Sequence, residues 1–262
     1  MTLESDLALA NRLADAAGAA IRPFFRADFA REDKADASPV TEADRAAEMA
    51  IREILESERP DEGIIGEEYG ATRESAARQW VLDPIDGTTS FIAGRPTFGT
   101  LIALMQDGWP LLGAIDQPIS GERWIGAVGG TTQFGDSPAA TRRCGGLDSA
   151  TVATTSPHCF NQEEGEAFLR LVAKCHANQR QGPIYGGDCY NYGLLASGHI
   201  DIVVEAGLAL HDFAALIPVV EAAGGQMCDW EGNPLTAESD GRVIALGDSA
   251  RLDDVLEALH EG

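Results

Sequence analysis

Basic residues are scarce in this chain. Nineteen Lys and Arg stand against 42 Asp and Glu, a formal net charge of −23, so the surface repels nucleic-acid backbones and anionic membranes unless cations intervene. A nucleic-acid or membrane partner is a poor expectation. Long apolar runs are missing as well. No stretch reaches the ~18 apolar residues of a membrane span, and the amino-terminal MTLESDLALANRLADAAG carries acids where a signal peptide carries bases. A cytosolic location is expected. Cysteines are few and scattered: Cys144, Cys159, Cys175, Cys189 and Cys228 are odd in number and never form C-x-x-C. That pattern suggests neither a disulfide framework nor a zinc site and leaves buried thiols as the expectation. His158, His199 and His211 are not at metal-ligand spacing, so structural or supporting roles are expected of them.

What is present is enough chain, at 262 residues, for one large unit or two closely packed halves. Leu3, Leu7, Ala10, Ala14 and Ala17 recur at helical spacing and predict a first helix ending near Pro23. Thr41, with Asp44 three residues on, predicts the start of a second helix that runs through Met49, Ile51 and Leu55 toward Pro60. Arg31 to Val40 between them reads as a polar loop. From Ile64 the pattern becomes short apolar runs broken by Gly and Pro: GIIGEE, WVLDPIDG, FGTLIALM, WPLLGAID and RWIGAV, read as strands and hairpins. Beyond about Ala140, strand and helix alternate. TVATTSP, HIDIVVEAG, GQMCDW and RVIAL read as strands, and Glu163–Ala177, Asp188–Ser197, His211–Ala223 and the terminal segment as helices. Residues 1–140 and 141–262 are expected to form two halves of one compact α/β (α+β) body.

Acidic residues gather where predicted strands end or helices begin: Glu67 and Glu68 after GII, Asp83 and Asp86 after WVL, and Asp212 after ALH. A lone carboxylate in so acidic a chain is usually solvated. Asp83 and Asp86, however, flank Pro84, which denies a strand its next donor and favours a turn bringing the two carboxylates together. Carboxylates held that closely repel unless a cation lies between them, and hard oxygen ligands suit Mg²⁺. Asp86-Gly87-Thr88-Thr89 reads as a helix amino terminus, whose free N–H groups attract phosphate. Divalent cations would supply the positive charge that an anionic substrate needs here. No Cys-x₅-Arg loop or D-x-D-x-T motif offers an enzyme nucleophile for phosphoryl transfer.

GEE at Gly66–Glu68, WVLDPIDGTTSF at Trp80–Phe91 and HDFAALIPVVEAAGG at His211–Gly225 resemble the signature segments of the inositol-monophosphatase superfamily, in order and over nearly the whole chain. The resemblance implies a layered α/β/α/β/α sandwich of the inositol monophosphatase / fructose-1,6-bisphosphatase type. It implies a Mg²⁺-dependent phosphate monoester hydrolase, acting through metal-activated water with two or three ions, and a homodimer. Residue by residue, it implies that Glu67, Asp83, Asp86, Asp212 and the Ile85 carbonyl bind metal, and that Gly87 and Thr88 bind phosphate. Thr88 would pair with Asp44 and act with Glu67 on the attacking water, and Glu68 would support the water and the metal from its neighbouring position. GGDCYNY, IDQPISGERW and TTSPHCF resemble the histidinol-phosphate phosphatase branch more than the inositol branch. Asp188 and Glu205, seven residues before Asp212, would then face the substrate ammonium. Asp188 reads equally as a helix cap, and Tyr190 and Tyr192 read as core aromatics. An inositol-1-phosphate or broad sugar phosphatase is the alternative, and a silent metal-binding regulatory protein the alternative outside enzymes.

Overall fold

The computed structural model describes residues 2–27, 31–33, 39–176 and 182–261. Helix α1 (Leu3–Ile21) starts at Thr2, whose hydroxyl accepts from the Ser5 N–H at 3.3 Å, and yields at Pro23 to a single 3-10 turn. Strands β1 (Arg31–Asp33) and β2 (Pro39–Thr41) pair antiparallel, where the sequence suggests only a polar loop. So charged a segment has no apolar alternation to announce a strand. Helix α2 (Glu42–Glu58) buries Ala43, Ala47, Ile51 and Leu55. Met49, expected on that apolar face, is 48% exposed, because positions two apart on a helix point to different sides. The Thr41 side chain expected to cap α2 lies outside the described residues.

The next stretch contains β3 (Gly63–Gly66), β4 (Gly70–Thr72), β5 (Arg78–Asp86), a short α3 (Thr88–Ile92), β6 (Gly99–Gln106), β7 (Trp109–Gln117), β8 (Glu122–Ala127), β9 (Gln133–Phe134) and β10 (Ser137–Pro138). Its strands form one sheet in the order β10-β9-β8-β7-β6-β5-β3-β4, antiparallel except where β3 meets β5. After it come β11 (Val152–Thr154), α4 (Gln162–His176), β12 (Ile184–Tyr185), α5 (Asp188–Ala196), β13 (Ile202–Glu205), α6 (Leu210–Phe213), α7 (Leu216–Ala222), β14 (Gln226–Cys228), β15 (Val243–Leu246) and α8 (Leu252–His260). A second sheet has the order β12-β11-β13-β15-β14. The single helix expected over His211–Ala223 is two, since Pro218 has no N–H for the Ala214 carbonyl and its ring crowds that group.

Strand alternation sorts the core into layers. Trp80 and Leu82 of β5, with Ile102, Leu104, Leu112 and Ala114, pack on Leu9, Leu13, Ala17, Ala47 and Ile51 of α1 and α2. Val81, Leu101, Ala103, Ile115 and Trp124 point the other way, onto Tyr192, Leu195, Leu216 and Val219 of α5 and α7, which also meet Val203 and Ala245 of the second sheet. Beyond that sheet, Ile202, Val204, Ile244 and Leu246 bury Phe168, Leu171, Val255 and Leu259 of α4 and α8. Helices, sheet, helices, sheet, helices: this is the layered α/β/α/β/α sandwich. Four cysteines are buried, as expected. Cys159 is exposed, because it sits in a one-turn 3-10 segment started by Pro157 rather than in a strand or helix with a buried face.

Candidate active site

The site begins with a fault in β5. Asp83 and Asp86 are an odd number of residues apart and would face opposite sides of a regular strand. The β5–β6 register shifts between them, and the Thr100 hydroxyl donates to the Pro84 carbonyl at 2.7 Å inside the irregularity. Ile85 consequently joins Trp80 and Leu82 in the core under α1 and α2, while Asp83, Asp86 and Asp212 bring carboxylate oxygens within 4.8 Å of one another. The proline acts by a bulge inside the strand, not by ending it.

Glu67 and Glu68 follow β3. The Glu67 N–H donates to the Leu82 carbonyl at 3.2 Å, which extends the β3–β5 pairing to the level of Asp83. Their loop is anchored by Glu48 of α2, a wholly buried carboxylate that accepts from the Glu68 N–H at 2.8 Å and the Tyr69 N–H at 3.2 Å and pairs with Arg52 at 2.7 Å. A Cβ on Gly66 would lie 1.9 Å from Glu48 Oε1, so the glycine of GEE makes room for this anchor. Sequence reasoning missed Glu48; a glutamate among helical surface charges gives no sign that it is buried. The Glu68 side chain is buried 3.9 Å from Arg45. Asp44, also buried, is near enough to add its charge to the field that Asp83 feels.

Past Asp86 the chain turns at Gly87, with φ +86°, into α3. A Cβ there would come 2.8 Å from Asp188 Oδ2, so both the backbone and the neighbour require glycine. The Thr88 hydroxyl donates to the Ile85 carbonyl at 3.1 Å, leaving that oxygen a further lone pair. Asp212 lies on α6, where one oxygen accepts from the Ala209 N–H at 2.7 Å. The other faces the His211 Nε2 at 3.5 Å. A His211 ring nitrogen also falls within 4.8 Å of Glu67 and Asp83 oxygens, so the structural or supporting role expected of His211 is exercised at the cluster itself. Chain spacing does not reveal ligands that converge from separate elements.

Burial first, then the charges of Glu67, Asp86, Asp212 and Asp44, push the Asp83 carboxyl well up. Asp86 is pushed up by burial and then by Asp188 and Asp212. Asp212 is raised by burial, against the opposing pull of His211. One Asp83 oxygen, Oδ1, is buried with no hydrogen-bond partner. A divalent cation would satisfy that oxygen and remove the repulsion, so the donor set fits an oxygen-loving ion such as Mg²⁺.

Beside the cluster is a cavity of about 300 Å³ lined by Asp86, Asp188, Glu205 and Asp212 among others. Asp188 is the first residue of α5, with Gly187 in the cap position. Its own φ is +44°, and its carboxylate accepts from the Ser90 hydroxyl at 3.3 Å. Burial pushes it up to about 6, against the Ser90 hydrogen bond and Arg95. The next residue, Cys189, donates its N–H to Asp86 Oδ2 at 2.6 Å. Glu205 ends β13, where the Thr155 N–H donates to it at 2.9 Å, the Thr155 hydroxyl donates to the same oxygen, and the Tyr192 hydroxyl donates to the other at 2.9 Å. Burial pushes Glu205 up to about 7. Tyr192 is thus a core aromatic with a polar task, whereas Tyr190 donates to Glu122 at 2.8 Å and stands edge-on to Trp124.

The inositol monophosphatase family model matches residues 2–261. The chain belongs to that family. It is a phosphatase that hydrolyses phosphate monoesters, in a family whose members are in general Mg²⁺-dependent. It is 47% identical to the bifunctional phosphatase IMPL2, chloroplastic, of Arabidopsis thaliana over 98% of this chain and 75% of that protein. A histidinol-phosphatase of Chlorobaculum parvum is 36% identical, with 92% of each chain covered. An inositol monophosphatase structure from Zymomonas mobilis superposes with a TM-score of 0.90 at 53% identity, covering 99% of both chains. These three relatives are all named as phosphatases, while their names divide over the substrate.

Proposed function

We propose that the chain hydrolyses L-histidinol phosphate to L-histidinol and phosphate with Mg²⁺ as cofactor. The observation that carries this reading is the anionic wall of the cavity. Asp188 and Glu205 line the same space as Asp86 and Asp212, so an ester with its phosphate at the Asp86 end directs its alcohol portion toward two carboxylates. The histidinol ammonium is cationic at neutral pH and gains charge-assisted hydrogen bonds there; a neutral polyol does not. The relatives named histidinol-phosphatase support the same choice.

In this reading Glu67, Asp83, Asp86, Asp212 and the Ile85 carbonyl hold two or three Mg²⁺ ions. The cofactor supplies, when bound, an acidified water and positive charge toward the phosphate oxygens. Glu67 and Thr88 would orient that water, the Thr88 hydroxyl taking its proton as it passes its own to the Asp44 carboxylate, and Glu68 would steady the loop from its pairing with Arg45. The Gly87 N–H and the Thr88 hydroxyl grip the phosphate at the start of α3. Residues 1–140 thus contribute the chemistry, while 141–262 add Asp212 and the specificity residues. A homodimer is part of the proposal, supported by the exposed Ile184 and Tyr185 on the edge strand β12. So is a cytoplasmic location, supported by the finding that, among the described residues, no helix is long and apolar enough to cross a membrane.

Hydrolysis of inositol 1-phosphate is the second reading, favoured by the 53% identity to an inositol monophosphatase. A panel of kcat/KM values for histidinol phosphate, inositol 1-phosphate, fructose 1,6-bisphosphate and adenosine 3′,5′-bisphosphate, with and without Mg²⁺, separates the two. Histidinol phosphate is expected to lead; an enzyme preferring inositol 1-phosphate replaces the first reading with the second.

A further inference from the structure

Two sets of candidate ligands meet at one residue. Asp83, Asp86 and Asp212 form an all-oxygen group, and Glu67, Asp83 and a His211 ring nitrogen form another, each spanning no more than 4.8 Å. We propose that His211 is itself a metal ligand, giving the ion held by Glu67 and Asp83 a nitrogen donor beside a purely oxygen site at Asp83, Asp86 and Asp212. This rests on the reading of the cluster as a metal centre and extends it to a residue outside the carboxylate set.

The shared vertex supplies an independent reason to expect an ion. Asp83 is 2% exposed, and its Oδ1 lacks any hydrogen-bond partner, a state that buried acceptors rarely tolerate without an ion or ordered water. The local fold also brings His211 to the cluster. Asp212 Oδ2 is tied to the Ala209 N–H, which fixes α6 as a single turn and sets the neighbouring His211 beside the remaining carboxylate oxygen at 3.5 Å. Imidazole is a borderline donor. It favours Mn²⁺, Co²⁺ or Zn²⁺ over Mg²⁺, whereas the carboxylates of the second set are at ease with Mg²⁺. Two adjacent ions of different preference follow, with the nitrogen-bearing position the more selective for a transition metal. The competing arrangement is a hydrogen bond from His211 to Asp212, which would make His211 a positioning residue and leave both sites purely oxygen.

Mn²⁺ alone, added to the full chain without substrate, separates the two. Pulsed EPR of unlabelled protein and of protein grown with [¹⁵N]histidine is expected to show a nitrogen coupled directly to bound Mn²⁺ that changes with the label. His211→Gln is expected to abolish the coupling and weaken one of the Mn²⁺ sites by on the order of 10- to 100-fold, leaving the other near its original affinity. Mn²⁺ bound at both sites of the unsubstituted chain without a label-sensitive nitrogen overturns the proposal, and needs no variant to fold. Failure to bind Mn²⁺ at all overturns instead the metal reading beneath it, so the two failures are distinguishable.

Discussion

Replacing Glu205 by Gln tests the cavity wall without disturbing its shape. Glu205 is buried, and its ordinary value of 4.5 is pushed up to about 7. Below about pH 4.5 the folded and unfolded chains are both protonated there and the residue adds no pH dependence. Between 4.5 and 7 the unfolded chain gives up the proton that the folded chain keeps, so stability falls as pH rises; above 7 the loss is complete. At ~1.36 kcal/mol per pH unit, the loss amounts to ~3 kcal/mol, an order-of-magnitude figure. An unfolding entropy of ~2.1 cal/mol/K per residue over 262 residues converts it to about 5 °C in Tm. Calorimetry in chelator across pH 4.5 to 8 is the assay. Glu205→Gln is expected to gain on the unsubstituted chain by that amount as pH rises. Catalysis supplies the second arm: kcat/KM for histidinol phosphate should fall by ~1–3 kcal/mol in transition-state binding, with an uncharged ester little affected. Parallel stability curves for the two proteins refute the assignment of a proton to Glu205. Unchanged selectivity between charged and uncharged esters refutes its contact with an ammonium.

Three further substitutions probe the rest of the site. Asp83→Asn is expected to abolish Mg²⁺-dependent hydrolysis and yet raise the metal-free Tm above pH 7, since burial and four neighbouring carboxylates oppose its charge; activity assays paired with calorimetry check both. Thr88→Ala is expected to lower kcat far more than it raises KM, and steady-state kinetics showing a change confined to KM would remove Thr88 from water activation. Glu48→Ala strands the N–H groups of Glu68 and Tyr69 and leaves Arg52 with the Gly70 carbonyl in place of its carboxylate partner; it is expected to cost ~3–5 kcal/mol in denaturant unfolding, with Glu48→Gln milder.

The parts of this protein that were legible in the sequence are those governed by periodicity and local chemistry. Ala10, Ala14 and Ala17, read from the helical spacing, lie in the core under α1, although that spacing favours the partly buried Leu3 and Leu7 over the buried Leu9 and Leu13 beside them; the apolar run Trp80, Val81 and Leu82 marks β5. The Asp83-Pro84-Ile85-Asp86-Gly87 segment could be read as a ligand loop because its spacing makes little sense as a plain strand. What stayed hidden depends on partners distant in the chain. Glu48 is 20 residues from the Glu68 N–H that it anchors, and Thr155 and Tyr192 are 50 and 13 residues from Glu205. His211 resembles any helix-start histidine until Glu67 and Asp83 arrive from another sheet. The β1–β2 pairing was hidden for a different reason: so charged a segment carries no apolar alternation to announce a strand.

Helix α5 couples specificity to chemistry in a way that bears on any attempt to change the substrate. Its first residue, Asp188, faces the cavity and crowds Gly87 of the phosphate loop, while its second, Cys189, donates its N–H to Asp86. A substitution at Asp188 therefore perturbs the left-handed start of α5, the packing against Gly87 and the orientation of a metal-facing carboxylate together. Asp188→Gly removes the backbone strain and the contact with Gly87 along with the charge, and Asp188→Asn, though it keeps the shape, exchanges one carboxylate oxygen for an amide donor beside Gly87 and Ser90, so neither isolates the charge from its contacts. Glu205 is held from the opposite side by Thr155 and Tyr192, with no direct hydrogen bond to Asp83, Asp86 or Asp212 among the described residues. Its charge can be removed with the cluster left intact. Within one cavity, then, the two carboxylates are unequal: selectivity can shift at Glu205 while turnover persists, whereas a change at Asp188 alters kcat and selectivity together.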